Sequence, residues 1–218
     1  QYISANGGHC NAYTAYGQTC YYFEVNNSGL HGALDRFSAL FTHPLFIADV
    51  VDREINAIDS EFNMVKESDF WRGNTAINKE IAVDGHVIKR FVVGNTKSLK
   101  EVPNSMGVNV RNRVMEWHRH QYSSDRMVLC ILGKETVLQL KEVAVQMFSH
   151  VEERKDVMKR ELSFPFHTTP EERSKLLYIE PKGGLRKLVV KWYFPSTTRF
   201  ADWDPVGFLT HLGGHEGE

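Results

Sequence analysis

A chain of 218 residues, 42% of them hydrophobic, with a formal net charge of -1 and a pI near 6.9, can bury a substantial core in one domain or two. It lacks the basic excess on which nucleic-acid binding draws. Its longest apolar runs, such as MVLCIL at 127–132, fall far short of the roughly 18 residues that a membrane-spanning helix needs, so the sequence reads as a soluble protein without a membrane span.

Three cysteines are an odd count that gives no disulfide framework, and Cys130, inside an apolar run, reads as a buried thiol. A reducing compartment, and hence a cytoplasmic location, is the expectation. The chain opens on Gln1 with no secretory signal and stops after LTHLGGHEGE with no obvious terminating element, which reads as a piece of a longer chain.

In chain order, HCNAYTAYGQTCYYFEV at 9–25 is rich in Tyr, Thr, Phe and Val and is interrupted at Tyr16-Gly17-Gln18, which predicts a two-stranded hairpin. SGLHGALDRFSALFTHP follows. It offers Ser28 as an N-cap and sets Leu30, Ala33, Leu34, Phe37, Leu40 and Phe41 at helical spacing before Pro44 closes the run. From about Asp49 a second helix carries Val51, Ile55, Ile58, Phe62 and Val65 as apolar positions and fades before Trp71. Residues 72–106 read as less regular, with turns at Gly94-Asn95 and Pro103-Asn104.

Residues 108–121 read as a helix, RMVLCILG at 126–133 as a buried strand and 135–151 as another helix. Residues 152–170, charged and containing Pro165 and Pro170, suit a connector. Beyond it, KLLYIEP and LRKLVVKWYFP, separated by Lys182-Gly183-Gly184, read as paired strands, and WDPVGFLTHLGG starts a helix with Pro205 in its first turn. The expected fold is α+β, a mixed sheet flanked by helices. The expected organisation is a first domain over 1–155, a linker over 156–170 and the start of a second, similar domain over 171–218.

DREINAIDSE, residues 52–61, carries the candidate chemistry. At about 100° per residue, a separation of seven positions brings Glu54 and Glu61 to within about 20° of each other, on a side they share with Ile58 and that is expected to be partly buried. On spacing alone, an ordinary half-exposed helix face explains such a pair better than chemistry does.

Order along the chain adds more. NAYTAYGQTCYYFEV, GALDRFSALFTHPLF, DREINAIDSE, FWR, the Gly94-Asn95 pair, YSSDRMVLCILG and HLGGHEG follow one another as similar segments do in the zinc endopeptidases of the insulysin, pitrilysin and nardilysin family, which this chain resembles over nearly its whole length. The fold the resemblance implies is most of a first metallopeptidase domain and the start of a second like it. Enzymes of that family carry an inverted motif, His-x-x-Glu-His, on one helix, and roughly 70 to 80 residues later a glutamate that completes the coordination of Zn2+. Glu61 matches that metal ligand, and Glu54 matches a second family acid whose implied role is to orient a ligating histidine through a hydrogen bond.

This sequence departs from the family pattern in having no His-x-x-Glu-His, and the motif is expected upstream of Gln1. The alternative is a metal-free relative acting as a structural or regulatory subunit. On either reading this chain alone is expected neither to hold zinc tightly nor to hydrolyse peptides.

Asn11-Ala12-Tyr13 resembles the family's Asn-Ala-aromatic strand at the active-site wall, where an extended peptide adds along a strand edge. Without the resemblance, an ordinary hairpin strand explains it. In HLGGHEG, His211, Gly214 and His215 match positions that in the insulysin branch help anchor the amino end of a bound peptide. The implied substrates are peptides and small unfolded proteins, admitted to a chamber between two bowl-like halves. The implied partners are the rest of the same chain, namely the upstream motif helix and the C-terminal half, with room for a homo-oligomer and no role for nucleic acid.

Overall fold

The structure is a computed structural model that describes residues 1–15, 17–154, 166, 169–184, 186–192, 197 and 202–214. Its contacts divide into two units, one formed by Gln1–Glu67 with Arg90–Glu161 and the other by Ser68–Lys89 with Leu162–Glu218. The fold is α+β.

In the first unit a short helix, α1 (Tyr2–Ala5), leads into the expected hairpin, in which β1 (His9–Thr14) pairs antiparallel with β2 (Thr19–Glu24) and Ala12 lies opposite Tyr21. Gly8 permits the close entry, because a Cβ there would stand 1.9 Å from the Glu24 carbonyl oxygen. On the inner face of β2, Phe23 and Tyr21 meet α2 (Leu30–Thr42), with ring centroids 5.1 Å from Phe37 and 5.8 Å from Phe41 respectively. Helix α2 buries Ala33 and Leu34 of the expected apolar stripe together with Ser38, whereas Leu40, expected on that stripe, is exposed.

Ser28 does not cap this helix. A 3₁₀ turn at Asn27–Gly29 precedes it, the N-cap position falls at Gly29, and no side chain accepts there. Helix α1 meets the start of α2 instead: the Tyr2 hydroxyl donates to the Gly29 carbonyl at 3.4 Å, and the Arg36 guanidinium of the second turn lies 4.0 Å over the Tyr2 ring.

Helix α3 (Ala48–Val65) turns Ile55 fully inward and leaves Val51, Ile58, Phe62 and Val65 half-buried, which is the expected apolar stripe. The stretch 72–106 is more helical than its composition predicts. It contains most of α4 (Asp69–Ile81), a five-residue π turn at Lys97–Glu101 and α5 (Val102–Ser105). Pro103-Asn104 therefore lies inside a helix rather than a turn, at a first-turn position where proline's missing N–H costs nothing.

Helix α6 (Val110–Gln121) starts at the Asn109 side chain, which accepts the Asn112 N–H at 3.0 Å, and α7 (Val137–Phe148) starts at a capping box between Thr136 and Gln139. Asn109→Ala and Thr136→Ala should each cost about 1 kcal/mol, read as a shift in the urea midpoint with unchanged slope.

Residues 127–132 are not the expected buried strand. Val128 is 97% and Leu132 93% exposed, and the Cys130 thiol is exposed rather than buried. Residues 129–132 line a groove with Phe23, Leu34 and Phe37, yet among the described residues no backbone hydrogen bond joins the run to a neighbour strand, and the sheet has two strands. Apolar sequence fills a strand's side chains but does not supply its ladder.

In the second unit α4 ends at Ile81 and Ala82, both buried, and Ala82 bridges to Phe166. The expected turn at Lys182-Gly183-Gly184 is present, clamped by the Asp69 carboxylate, which accepts the Lys182 N–H at 2.8 Å and the Gly183 N–H at 3.0 Å. The segments flanking it are not the expected paired strands among the described residues, and Tyr178 and Leu188 stand exposed. A short helix α8 spans Pro170–Arg173, and α9 (Pro205–Gly214) carries proline in its first turn as expected. Most of the expected linker, 156–170, lies outside the described residues. Among the described residues no helix is long and apolar enough to cross a membrane.

Candidate functional site

Helix α3 presents two pairs of carboxylates, each separated by seven residues and placed on opposite flanks of its buried stripe. Asp52 and Asp59 form one pair. Lys100 Nζ donates to Asp52 at 2.8 Å, and the Thr96 N–H donates to Asp59 at 2.7 Å, so these two acids hold the 95–101 segment against the helix. That segment is itself closed by Asn95, whose side chain accepts the Ser98 N–H at 2.8 Å. The Thr96 N–H, with help from the Asn63 amide, holds the Asp59 carboxyl below the usual carboxylate range.

A carboxyl group whose acidity is raised by folding stabilises the fold above its unfolded value, about 3.9, and the stabilisation is lost as pH falls through the lower folded value. Acidification from about pH 5 through that window should release Thr96 before global unfolding, seen as collapse of its amide chemical shift towards the coil value.

Glu54 and Glu61 form the other pair, and their shared flank is more open than the sequence suggests. Both are exposed, and neither makes a hydrogen bond or ion pair among the described residues. Ile58 beside them is half-buried, so the apolar stripe ends where the glutamates begin. A seven-residue spacing therefore occurs twice in one ten-residue motif, with one pair engaged and one free. Sequence reading missed the engaged pair, although the same periodicity marks it.

The free pair fits a divalent metal as an oxygen donor, since Glu61 has a whole carboxylate to offer. Among the described residues no group of three His, Cys, Asp or Glu side chains stands close enough to hold an ion.

Asn11, Ala12 and Tyr13 lie together in β1, whose residues are all exposed. Ala15 donates its N–H to the Gln18 carbonyl at 2.8 Å, and counting alternate pairs back from that bond puts the main-chain groups of Ala12 on the outer edge of β1. The Ala12 N–H goes to the Asn11 side chain at 2.8 Å. No strand among the described residues pairs with this edge. Tyr13 projects from the face of the hairpin away from α2, 51% exposed, with its phenol pushed above the usual tyrosine range by the Cys20 thiol across the ladder.

His211 and Gly214 lie near the end of α9, in the second unit, and His215 lies outside the described residues. YSSDR, which sequence reading used only for its order along the chain, forms a locked corner. Ser123 is fully buried, accepts the Arg154 N–H at 2.8 Å and donates to the Asp125 carboxylate, while the Arg154 guanidinium reaches back to the Arg119 carbonyl. Beside this corner, burial and then the Arg154 charge hold the His118 imidazole below its usual range, so it stays neutral against Tyr122, 4.2 Å away in a stacked arrangement.

A model of the insulinase family, peptidase family M16, matches residues 1–82, and a model of the peptidase M16 inactive domain matches residues 109–218. The chain is 37% identical to the A-factor-processing enzyme of Saccharomyces cerevisiae over 99% of its own length, and 38% identical to the insulin-degrading enzyme of Homo sapiens over 100% of it. It spans 21% of the length of each of those relatives. The crystal structure of pitrilysin superposes on 77% of this chain and 17% of its own, with a TM-score of 0.68 and 29% sequence identity. Fold, motif order and matches define a metallopeptidase segment. The chain belongs to the insulinase family, peptidase family M16.

Proposed function

We propose that this chain is part of a zinc-dependent metalloendopeptidase that hydrolyses peptide bonds in peptides and small unfolded proteins. The observation that carries the reading is the unengaged Glu54–Glu61 flank of α3, left open beside a second acid pair that the fold consumes. Glu61 is assigned as a metal ligand, and Glu54 as the acid that accepts a hydrogen bond from a ligating imidazole supplied by the upstream motif helix. The chemistry a bound Zn2+ supplies is polarisation of the scissile carbonyl and acidification of a water.

The outer edge of β1 receives the peptide as an added strand, with the main chain of Ala12 presented to it, Asn11 beside it and Tyr13 lining a side-chain pocket. His211, Gly214 and His215 are assigned to anchoring the amino end of a bound peptide. Residues 1–155 are assigned to the peptidase domain, 156–170 to a connector and 171–218 to the start of a second, similar domain. The partners are the rest of the chain, with a cytoplasmic setting and association of identical copies as further parts of the reading.

Purified full-length protein should contain zinc and cleave an unstructured peptide, lose cleavage on chelation and regain it when zinc is restored. Full-length protein that binds neither zinc nor peptide would overturn the reading in favour of a metal-free subunit.

A further inference from the structure

Every β1 residue is exposed, and among the described residues the only strand paired with β1 is β2, so whatever fixes β2 bears directly on the edge that β1 offers. Tyr21 stands directly across the ladder from Ala12. Its ring packs edge-on to Phe41, and its hydroxyl meets the Tyr122 hydroxyl at 2.5 Å, a bond between residues 101 positions apart. Tyr122 is in turn packed by its own neighbours. It closes the end of α6, stacks on His118, meets the Trp117 ring edge-on at 5.9 Å and is followed directly by the buried Ser123 corner. Burial and the Tyr21 hydroxyl push the Tyr122 phenol well above the usual tyrosine range, which keeps its proton available to the bond.

Ring packing against Phe41 limits how far Tyr21 moves but leaves it free to tilt. A hydroxyl bond at the far end of the ring is directional, and it is made to a residue that has packing of its own. We infer that the Tyr21–Tyr122 hydroxyl pair positions the β1 edge at Ala12 for an incoming peptide strand, Tyr21 and Tyr122 acting as positioning residues that touch no substrate. This rests on the reading of β1 as the peptide-receiving edge. The phenylalanine variants separate positioning from folding, because they keep both rings and remove only the bond.

In the full-length peptidase, Tyr122→Phe should raise KM for an unstructured peptide about tenfold, the scale of one hydrogen bond, with kcat within about twofold and zinc content unchanged. Tyr21→Phe should match it, and the double variant should be no worse than either single one, as one shared bond requires. A fall in kcat and melting temperature at unchanged KM would mark a bond that only supports the fold and would overturn the inference.

Ala12→Pro tests the underlying edge. It removes an outward N–H at a position where an edge strand tolerates proline, and KM should rise. KM unmoved by Ala12→Pro sinks the edge reading and the inference with it. KM raised by Ala12→Pro but unmoved by Tyr122→Phe sinks the positioning role alone.

Discussion

Glu61→Gln in the full-length protein should abolish tight zinc binding and peptide cleavage together, each by more than about 100-fold, because an amide oxygen replaces a charged ligand. Glu54→Gln should weaken zinc affinity by about 10- to 100-fold, the range for a group that acts through a ligand rather than as one. Metal content after dialysis and initial rates on one peptide measure both. The contrast with the neighbouring acids sharpens the test. Asp59→Ala should free the 95–101 segment, which Asp59 holds through Thr96, and leave zinc content at the unsubstituted level. Full zinc occupancy in Glu61→Gln would refute the ligand assignment, and equal zinc loss in Asp59→Ala would show that the helix rather than one carboxylate was being read.

The second large effect is in the core. Leu34, 3% exposed on α2, lies under the groove between β2 and residues 129–132, with Phe37 beside it. Leu34→Ala removes buried methyl groups and leaves a void, so it should destabilise by about 2–5 kcal/mol in equilibrium unfolding. Leu40, on the same helix but 51% exposed, gives the internal comparison: Leu40→Ala should stay within about 0.5 kcal/mol. Equal effects at the two positions would mean that α2 does not bury the face that the structure assigns to it.

Elements set by local rules were readable from the sequence. The hairpin follows from its turn and its Tyr- and Thr-rich flanks, α2 and α3 from their apolar periodicity, and α9 from proline in its first turn. Helix α4 was not readable, because DFWRGNTAINKEI carries a glycine and two asparagines, weak helix formers that tertiary contacts at Ile81 and Ala82 outweigh. Residues 127–132 failed the other way. Their apolar character is a strand's, but a strand also needs backbone partners, and those are never encoded in the run itself.

The site divides along the same line. Spacing finds both carboxylate pairs of α3 equally well, and what separates them is Thr96 and Lys100, some 40 residues further along, where no periodicity points. Only the order of segments lifted Glu61 above an ordinary surface acid. The hydroxyl pair of Tyr21 and Tyr122 lay beyond reach for the same reason, since it joins residues 101 positions apart.

The Asn11 side chain, resting on the Ala12 N–H, gives the open edge a guard of its own. An unprotected strand edge is a template for pairing with any other edge, including that of another copy, which is how aggregates begin. Here the one outward donor at the middle of β1 is occupied at rest, so a casual encounter gains little. On the proposed reading of β1 as a peptide-receiving edge, a peptide that aligns along several residues would displace that amide, so the contact that guards the middle of the edge would yield to a strand long enough to pair on both sides of it.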